Sequence, residues 1–366
     1  MAFGAMLWSI AAGGLSLAAF GQNASKTAPI PSDPLEMVTG QIRAVEARAN
    51  REALVRLLDR ARDGYALRSA GRGYDLKVSF TVDSGGQTKF DGDWKMEDVF
   101  DPKQGLRWTA ESSASYAITR ISSNGMLYGE ETASYIPLRL QEARAALFDP
   151  IPSSERVARA FIRTSTATFK GAQLTCILQS RSKTAASATP GRRWDETEDC
   201  VDPQSGLLQT HSQVPGRYYA YQYSDARPLA GHVLPRKVTV TEAGKVVTEI
   251  SVDSLTELPA ADPSLFVPTE EMKARGRAIA MAGAQKIWRD FGRGPYAPGA
   301  MAHMVCVFGV VTPSGQLVEA HSLQPSDPNS QAAIEGAKHM SFSQPKLGVH
   351  PEQHFIFVIE KFVSSQ

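Results

Sequence analysis

The feature that most constrains this chain is an alternation of apolar and polar residues that begins after Gly73. Apolar residues occupy every second position from Tyr74 to Val82, and polar residues stand between them. A period of two places all the apolar side chains on one face of a β-strand. Similar alternation recurs downstream, and turn signals such as Asp83 to Gly86 separate the strands. The pattern predicts an antiparallel sheet with one polar face and one aromatic, apolar face.

Large rings are concentrated on the apolar face of these strands. The ring positions are Phe80, Trp94, Trp108, Tyr219, Tyr221 and Tyr223. One interpretation is an ordinary core beneath a covering helix. The other is a curved sheet whose concave aromatic face holds an acyl chain or another apolar ligand, with tyrosine hydroxyls as polar handles. Burial of an acyl chain gains about 0.8 kcal/mol per CH2, so such a pocket needs no charged partner.

The spacing before the sheet is that of a helix. Asp33 can cap a helix, Pro34 suits its first position and Glu36 can complete a capping box. We expect one long helix, or two collinear ones, that end near Gly71 or Gly73. Two shorter helices are expected between the strands, before and after Pro150. A further helix is predicted at 270–287.

The chain is expected to hold two folded domains. Its 366 residues suit two, and proline and charge cluster just before Thr269. We divide it into a signal peptide (1–21), a polar linker (22–32), a larger domain (33–268), a helix-and-loop connector (269–294) and a C-terminal domain (295–366). The predicted fold class is α+β: a curved antiparallel sheet, or half-barrel, covered by helices, and then a small β-β-α-β domain.

The N-terminal segment predicts export. No Lys, Arg, Asp or Glu precedes Lys26, and residues 5–20 are almost all apolar or small. Such a stretch is short for a membrane span, which needs about 20 residues, but it is typical of a secretory signal. Cleavage after Gly21 would leave Gln22 as the new N-terminus. We predict a periplasmic protein; the alternative is a retained anchor in the inner membrane, facing the periplasm.

Two of the three cysteines are predicted to form a disulfide. Cys176 and Cys200 lie in strand-like surroundings on either side of a turn-rich stretch. A bridge there would contribute about 3 kcal/mol, and an oxidising compartment permits it. The alternative is two reduced, buried thiols. Cys306 lies in an apolar strand and is expected to be an inert thiol.

Composition and motifs point away from nucleic-acid binding and catalysis. Lys and Arg number 39 against 38 Asp and Glu, so the chain lacks the basic excess of a nucleic-acid binder. We find no nucleophile elbow, phosphate loop, H-E-x-x-H or C-x-x-C motif. His350 and His354 have helical ligand spacing, but Pro351 opposes a helix there. We predict no catalytic residue, metal or cofactor; the alternative is an enzyme whose Ser, His and carboxylate meet across the sheet.

The C-terminal segment carries a recognisable order of elements. It runs through Val305 to Val311 with a turn at Pro313 to Gly315, then Leu317 to Ala320, Gln331 to Lys338, Met340 to Pro345 and Phe355 to Phe362. In order and spacing, residues 296–363 resemble the C-terminal domain of the TonB family. The resemblance implies a small periplasmic domain that pairs an edge strand with an extended segment of a partner. The partner-binding positions would be His354, Ile356, Val358, Glu360 and Phe362.

The larger domain is similar in pattern to the periplasmic lipoprotein-carrier family, the LolA and LolB type. The likeness lies in a leading helix, a curved sheet with an aromatic concave face, and the segments Cys200 to Leu207 and Leu265 to Pro268. It implies binding of a lipid or acyl chain. Together the two resemblances predict a non-enzymatic envelope protein that binds an apolar ligand and docks a partner peptide. The alternative is a membrane-anchored TonB-type transducer or scaffold that contacts an outer-membrane receptor.

Overall fold

A computed structural model describes residues 37–180, 191–278, 288–291, 302–340 and 353–363. The predicted signal peptide (1–21) and polar linker (22–32) lie outside these ranges. Within the described ranges, no helix has the length and apolar character needed to cross a lipid bilayer.

Strands dominate the described structure. They are β1 (Val38–Thr39), β2 (Arg43–Ala44), β3 (Gly73–Val82), β4 (Gly92–Asp101), β5 (Gly105–Ser112), β6 (Ala117–Ser123), β7 (Met126–Glu131), β8 (Phe161–Phe169), β9 (Ala172–Ser180), β10 (Thr197–Val201), β11 (Leu208–Val214), β12 (Arg217–Gln222), β13 (Lys237–Glu242), β14 (Lys245–Leu258), β15 (Arg277–Ala278), β16 (Trp288–Phe291), β17 (Ala302–Val311), β18 (Leu317–Ser322) and β19 (His354–Val363). The helices are α1 (Arg48–Gly64), α2 (Leu138–Phe148), α3 (Ser154–Arg159), α4 (Glu270–Arg275) and α5 (Ser330–Lys338).

The larger domain is one antiparallel sheet, as the alternation predicts. Its strand order is β1-β8-β9-β10-β11-β12-β13-β14-β3-β4-β5-β6-β7-β15, with β2 also paired to β8. Register shifts interrupt the pairing of β10 with β11, β11 with β12, β13 with β14 and β14 with β3. Such bulges bend strands and increase their twist. The sheet folds around α1 and α2, whose buried side chains join one core with it, and we call the side that faces these helices the concave face.

The predicted helix start at Asp33 lies outside the described residues, and the described residues 37–47, where the helix is expected to continue, are not helical. Residues 38–39 and 43–44 are short strands on the outer edge of β8, and α1 starts only at Arg48. The edge of β8 would otherwise leave backbone N–H and C=O groups unpaired, and residues 38–39 and 43–44 pair with that edge. Gly40 allows the close approach: its N–H donates to the Thr166 carbonyl at 2.7 Å, and a Cβ there would lie 2.9 Å from Thr166 Oγ1. Pairing with β8 thus overrides the helix-start signal.

The segment predicted as a helix-and-loop connector, 269–294, contains a shorter helix and two short strands. The helix expected at 270–287 ends at Arg275, although Thr269 caps it as a helix start should. Residues 277–278 then pair with the edge of β7, and 288–291 form a strand of the C-terminal sheet. Residues 279–287 lie outside the described ranges.

The C-terminal sheet has the order β16-β19-β17-β18. Strand, strand, helix and strand follow one another as expected in β17, β18, α5 and β19. The prediction that β19 is an edge strand, however, is wrong. It pairs with β17 along its length and with β16 at 356–359.

Because β19 is an interior strand, it does not fit the role proposed for five of its residues as partner-binding positions on a sheet edge. These residues are His354, Ile356, Val358, Glu360 and Phe362. Ile356 and Val358 are buried, and their stretch of backbone is paired on both sides. The strand that occupies the expected docking edge is β16, which comes from the segment predicted as a connector.

The C-terminal sheet packs against one end of the larger domain. The β3–β4 turn, the β11–β12 turn and the start of α2 all lie at that end because the strands alternate in direction. Gln87 of the first turn accepts a hydrogen bond from the Ala320 N–H at 3.0 Å, and Gln353 accepts one from the Leu138 N–H at 3.0 Å. A shared apolar cluster lies between them. The small sheet therefore closes this end of the half-barrel.

Candidate functional site

The structure places the six predicted rings on the concave face. Phe80, Trp94, Trp108, Tyr219 and Tyr221 are buried, and Tyr223 is half-buried against the same core. Phe80 and Trp94 stand opposite each other in the register of β3 and β4, and their rings stack with centroids 5.3 Å apart. The alternation therefore assigns these residues to the correct face.

Helices of the chain itself cover these rings. Leu58 and Ala61 of α1 and Leu140 and Leu147 of α2 are buried in the same core. The arrangement is that of a half-barrel whose concave face is occupied by two helices. Contact of the rings with a ligand stays a prediction.

A group of tyrosines lies at the C-terminal end of α1. The hydroxyls of Tyr65 and Tyr223 are hydrogen-bonded to each other, and Tyr223 also donates to the Leu208 carbonyl at 2.8 Å. Tyr221 packs edge-on against Tyr65, and its buried hydroxyl has no hydrogen-bond partner among the described residues. Burial raises the pKa of Tyr65 and of Tyr221 well above the ordinary value, so these hydroxyls stay neutral.

A second polar group lies beside Trp108, under α2. The Arg144 guanidinium lies over the Trp108 ring, 3.9 Å from its centroid, and its Nη2 donates to Asp98 Oδ2 at 2.7 Å. Asp98 is fully buried and also accepts from the Tyr74 hydroxyl at 2.8 Å. Arg68 Nη2 approaches the same Oδ2 at 3.3 Å. Two guanidiniums therefore share one carboxylate on the concave face.

Five buried charged residues meet where α2, the half-barrel and the C-terminal sheet join, and we call them the junction network: Arg139, Glu142, Arg217, Glu242 and Glu319. Arg217 binds Glu142 through Nη2 at 2.8 and 2.9 Å and Glu242 through Nε at 2.8 Å. Arg139 binds Glu242 at 2.7 Å and Glu319 at 2.9 Å. These residues come from four elements distant in sequence, so no local motif could predict the network.

The network perturbs the ionisation of its carboxylates. Burial by itself would raise the pKa of Glu242, but Arg139 and Arg217 outweigh it and lower that pKa to about 2. The pKa of Glu319 is also lowered, because His321 and Arg139 outweigh the effect of burial. Both groups are therefore charged at neutral pH and held by their partners.

One imidazole on the concave side is held by a carboxylate. His211 Nδ1 lies 2.8 Å from Asp199 Oδ1, and Gln179 donates to the other oxygen of Asp199 at 2.8 Å. Across 37–180, 191–278 and the shorter described stretches, no hydroxyl or thiol is hydrogen-bonded to His211. A nucleophile activated by His211 is thus missing from the described residues.

A groove opens where the first turns of α1 pass the edge of the sheet. It has a volume of about 380 Å³ and is lined by residues of β2, the β2–α1 link, α1 and β8, including Arg43, Val45, Asn50, Leu54 and Thr164. The side chains of α1 between Arg48 and Leu57 are exposed or half-buried. Here α1 is packed less deeply on the sheet than at Leu58 and Ala61.

The predicted disulfide is confirmed. Cys176 and Cys200 stand opposite each other in β9 and β10 and are bonded, with their Cα atoms 4.0 Å apart. Glu198 lies close enough to both sulfurs to complete a small metal-ligand set, but the bridge uses both thiols. Cys306 is buried and is not part of that bridge.

Comparison with known proteins gives structural neighbours only. No family model matches the chain, so the resemblance of residues 296–363 to the TonB family is not supported. No curated protein matches the chain in sequence. Similar solved structures include a LolA superfamily protein from Nitrosomonas europaea, with TM-score 0.34 and 8% identity, covering 58% of this chain and 96% of that chain. A DUF1329 family protein from Desulfovibrio piger gives TM-score 0.36 and 10% identity, covering 59% and 96%. The Pseudomonas aeruginosa MucA/MucB complex gives TM-score 0.26 and 11% identity, covering 70% and 70%. These TM-scores are low, and it is the chain's own strand register that defines the half-barrel.

Proposed function

We propose that this chain is a non-enzymatic binding protein of the bacterial envelope that holds an apolar ligand, such as an acyl chain, against the aromatic concave face. The observation that carries the proposal is the set of buried rings on one face of a curved sheet, covered by α1 and α2. In the structure as it stands the helices fill this space. Ligand uptake therefore requires α1 to move away from the rings.

The contacts of α1 support such a movement. Arg51 donates to the carbonyls of Val157, Ala158 and Ala160 at 3.2, 2.9 and 2.9 Å, so the first half of α1 is bound to α3 and the segment after it. The same half is poorly buried against the sheet. We propose that α1 and α3 swing together and that the ligand enters at the groove beside Leu54.

The energetics allow the exchange. An acyl chain of about ten methylenes gains about 8 kcal/mol on burial. Moving α1 takes the buried Leu58 and Ala61 out of the core, but the exposed or half-buried first turns of the helix add little apolar area to that cost. The balance favours a long, flexible apolar ligand over a small one.

Two further points belong to the proposal. The C-terminal sheet closes one end of the half-barrel, and we place the entrance for the ligand at the groove beside α1. The disulfide suits an oxidising compartment, because cytosolic thiols are kept reduced, and we place the protein in the periplasm. Release by osmotic shock is the expected result; retention in salt-washed membranes would favour the anchored alternative.

Uptake of a fluorescent fatty acid tests the binding function. Native mass spectrometry of the full chain, with lipid extraction, gives the stoichiometry. Leu54→Trp should fill the groove and lower uptake at least about tenfold, whereas Val267→Trp, at an exposed position, should not. A wild-type protein that carries no lipid and takes up no probe would contradict the proposal.

A further inference from the structure

We propose that Arg68 and Arg144 form a binding site for the phosphate of an anionic amphiphile, with its acyl chain against the aromatic face. This inference rests on the proposed function and names its ligand class. The two guanidiniums stand side by side because both approach Asp98 Oδ2, at 3.3 and 2.7 Å. One carboxylate faces two cations, so the group carries a net positive charge.

Hydrogen-bonding capacity remains on both arginines. Arg68 uses Nε for the Tyr74 hydroxyl and Nη2 for Asp98, and Arg144 uses Nη2 for Asp98. The hydrogen bonds of the two arginines within the described residues do not use either Nη1 group, and the buried Nε of Arg144 has no partner there. Their side chains are 39% and 21% exposed. The Nη1 groups can therefore donate to a phosphate oxygen while the contacts to Asp98 are kept.

The surroundings match an amphiphile better than a simple ion. Arg144 lies over Trp108, and the Arg68 guanidinium lies 4.8 Å from the centroid of Phe148. Trp108 stands on the same concave face as the rings proposed to hold the acyl chain. The nearby Arg120 pairs with Glu131 at 3.2 Å. This pair is neutral overall, so it does not alter the net positive charge of Arg68, Arg144 and Asp98. Burial and the positive charge of Arg68 lower the pKa of Arg144, although Asp98 acts in the opposite direction. The two guanidiniums therefore repel each other, and a bound anion would reduce that repulsion.

Three probes separate the headgroup from the chain: myristoyl lysophosphatidylglycerol, the uncharged monomyristoylglycerol, and inorganic phosphate. The full-length protein should bind the first at least about tenfold more tightly than the second. Arg68→Gln and Arg144→Gln should remove that preference, so that each variant binds the two lipids with affinities equal within about twofold. Arg144→Lys, which keeps the charge and loses the planar fork, should fall between them.

Arg72→Gln is the matched control, because Arg72 is close in sequence and pairs with Glu257 on the exposed surface. It should keep the preference. Thermal unfolding of each variant shows that it is folded before binding is measured.

The outcomes separate the two proposals. Equal affinity for the charged and uncharged lipids overturns the phosphate site and leaves the apolar function standing. Binding of neither lipid contradicts both proposals. Binding of inorganic phosphate alone, lost in both glutamine variants, would assign the site to a free anion and overturn its link to a lipid.

Discussion

Arg139 and Glu319 form a buried ion pair that joins the half-barrel to the C-terminal sheet: Arg139 Nη2 donates to Glu319 Oε2 at 2.9 Å. Their side chains are only 2% and 1% exposed. Arg139 lies in the first turn of α2, and Glu319 lies on β18. Because α2 also covers the aromatic face, this pair connects the C-terminal sheet to a helix that packs on the concave face.

Breaking that pair should be costly. Glu319→Gln removes a charge-assisted hydrogen bond of Arg139, which keeps its pair with Glu242, and we expect the free energy of unfolding to fall by about 1.5–3 kcal/mol. Urea unfolding measures it. Glu155→Gln, in the exposed pair with Arg159, should change stability by less than about 1 kcal/mol. Equal effects of the two substitutions would show that the buried pair does not couple the sheets.

The junction network should also make stability depend on acid pH. The pKa of Glu242 falls from 4.5 in the unfolded chain to about 2 in the folded protein. A lowered folded-state pKa gives stability that is fully present above the unfolded value and lost as pH falls through the folded one. We therefore expect acid destabilisation between pH 4.5 and about 2.

Glu242→Gln provides the control for that pH dependence. The variant should be less stable at neutral pH and should show a shallower loss of stability across the acid range, in unfolding curves recorded at each pH. A pH profile that keeps the wild-type slope would assign the acid sensitivity to other carboxylates.

The disulfide should stabilise the fold measurably. The double variant Cys176→Ala with Cys200→Ala is expected to lose about 2–4 kcal/mol, and reductant should lower the wild-type protein to a similar level. Reductant should have no effect on the double variant, which serves as its own control. If reductant does not change the free energy of unfolding of the wild-type protein, the bridge contributes nothing to stability.

The aromatic rings should behave as core residues in the unliganded protein. Trp94 is 1% exposed, stacks on Phe80 and donates from Nε1 to the Phe90 carbonyl at 3.0 Å. Trp94→Ala should lower the free energy of unfolding by about 3–5 kcal/mol. Val267→Ala, at an exposed position, should have a small effect in the same denaturant series. A small effect of Trp94→Ala would indicate that the ring does not pack in the core.

Much of the sheet could be predicted because a period of two is a local property of the sequence. The faces of Phe80 and Trp94 follow from it. The helix-start signal at Asp33 failed to predict strands at 38–39 and 43–44, because their pairing depends on a β8 edge more than 100 positions away.

The polar parts of the structure required tertiary information. Arg68 comes from a 3-10 helix (Leu67–Ala70), Asp98 from β4 and Arg144 from α2, and nothing in their spacing indicates that they meet. The interior position of β19 likewise depends on Trp288–Phe291, a four-residue strand too short to be recognised by alternation. In this chain, faces could be predicted from the sequence, but long-range pairing could not.

Photo-crosslinking with a diazirine fatty acid, mapped by peptide mass spectrometry, shows whether an apolar ligand lies against the concave face. We expect saturable labelling of peptides from β3, β4, β5 and β12 that carry Phe80, Trp94, Trp108 and Tyr221, competed by unlabelled fatty acid and reduced by Leu54→Trp. Labelling confined to the opposite face of the sheet, or labelling that does not saturate, would contradict the proposal.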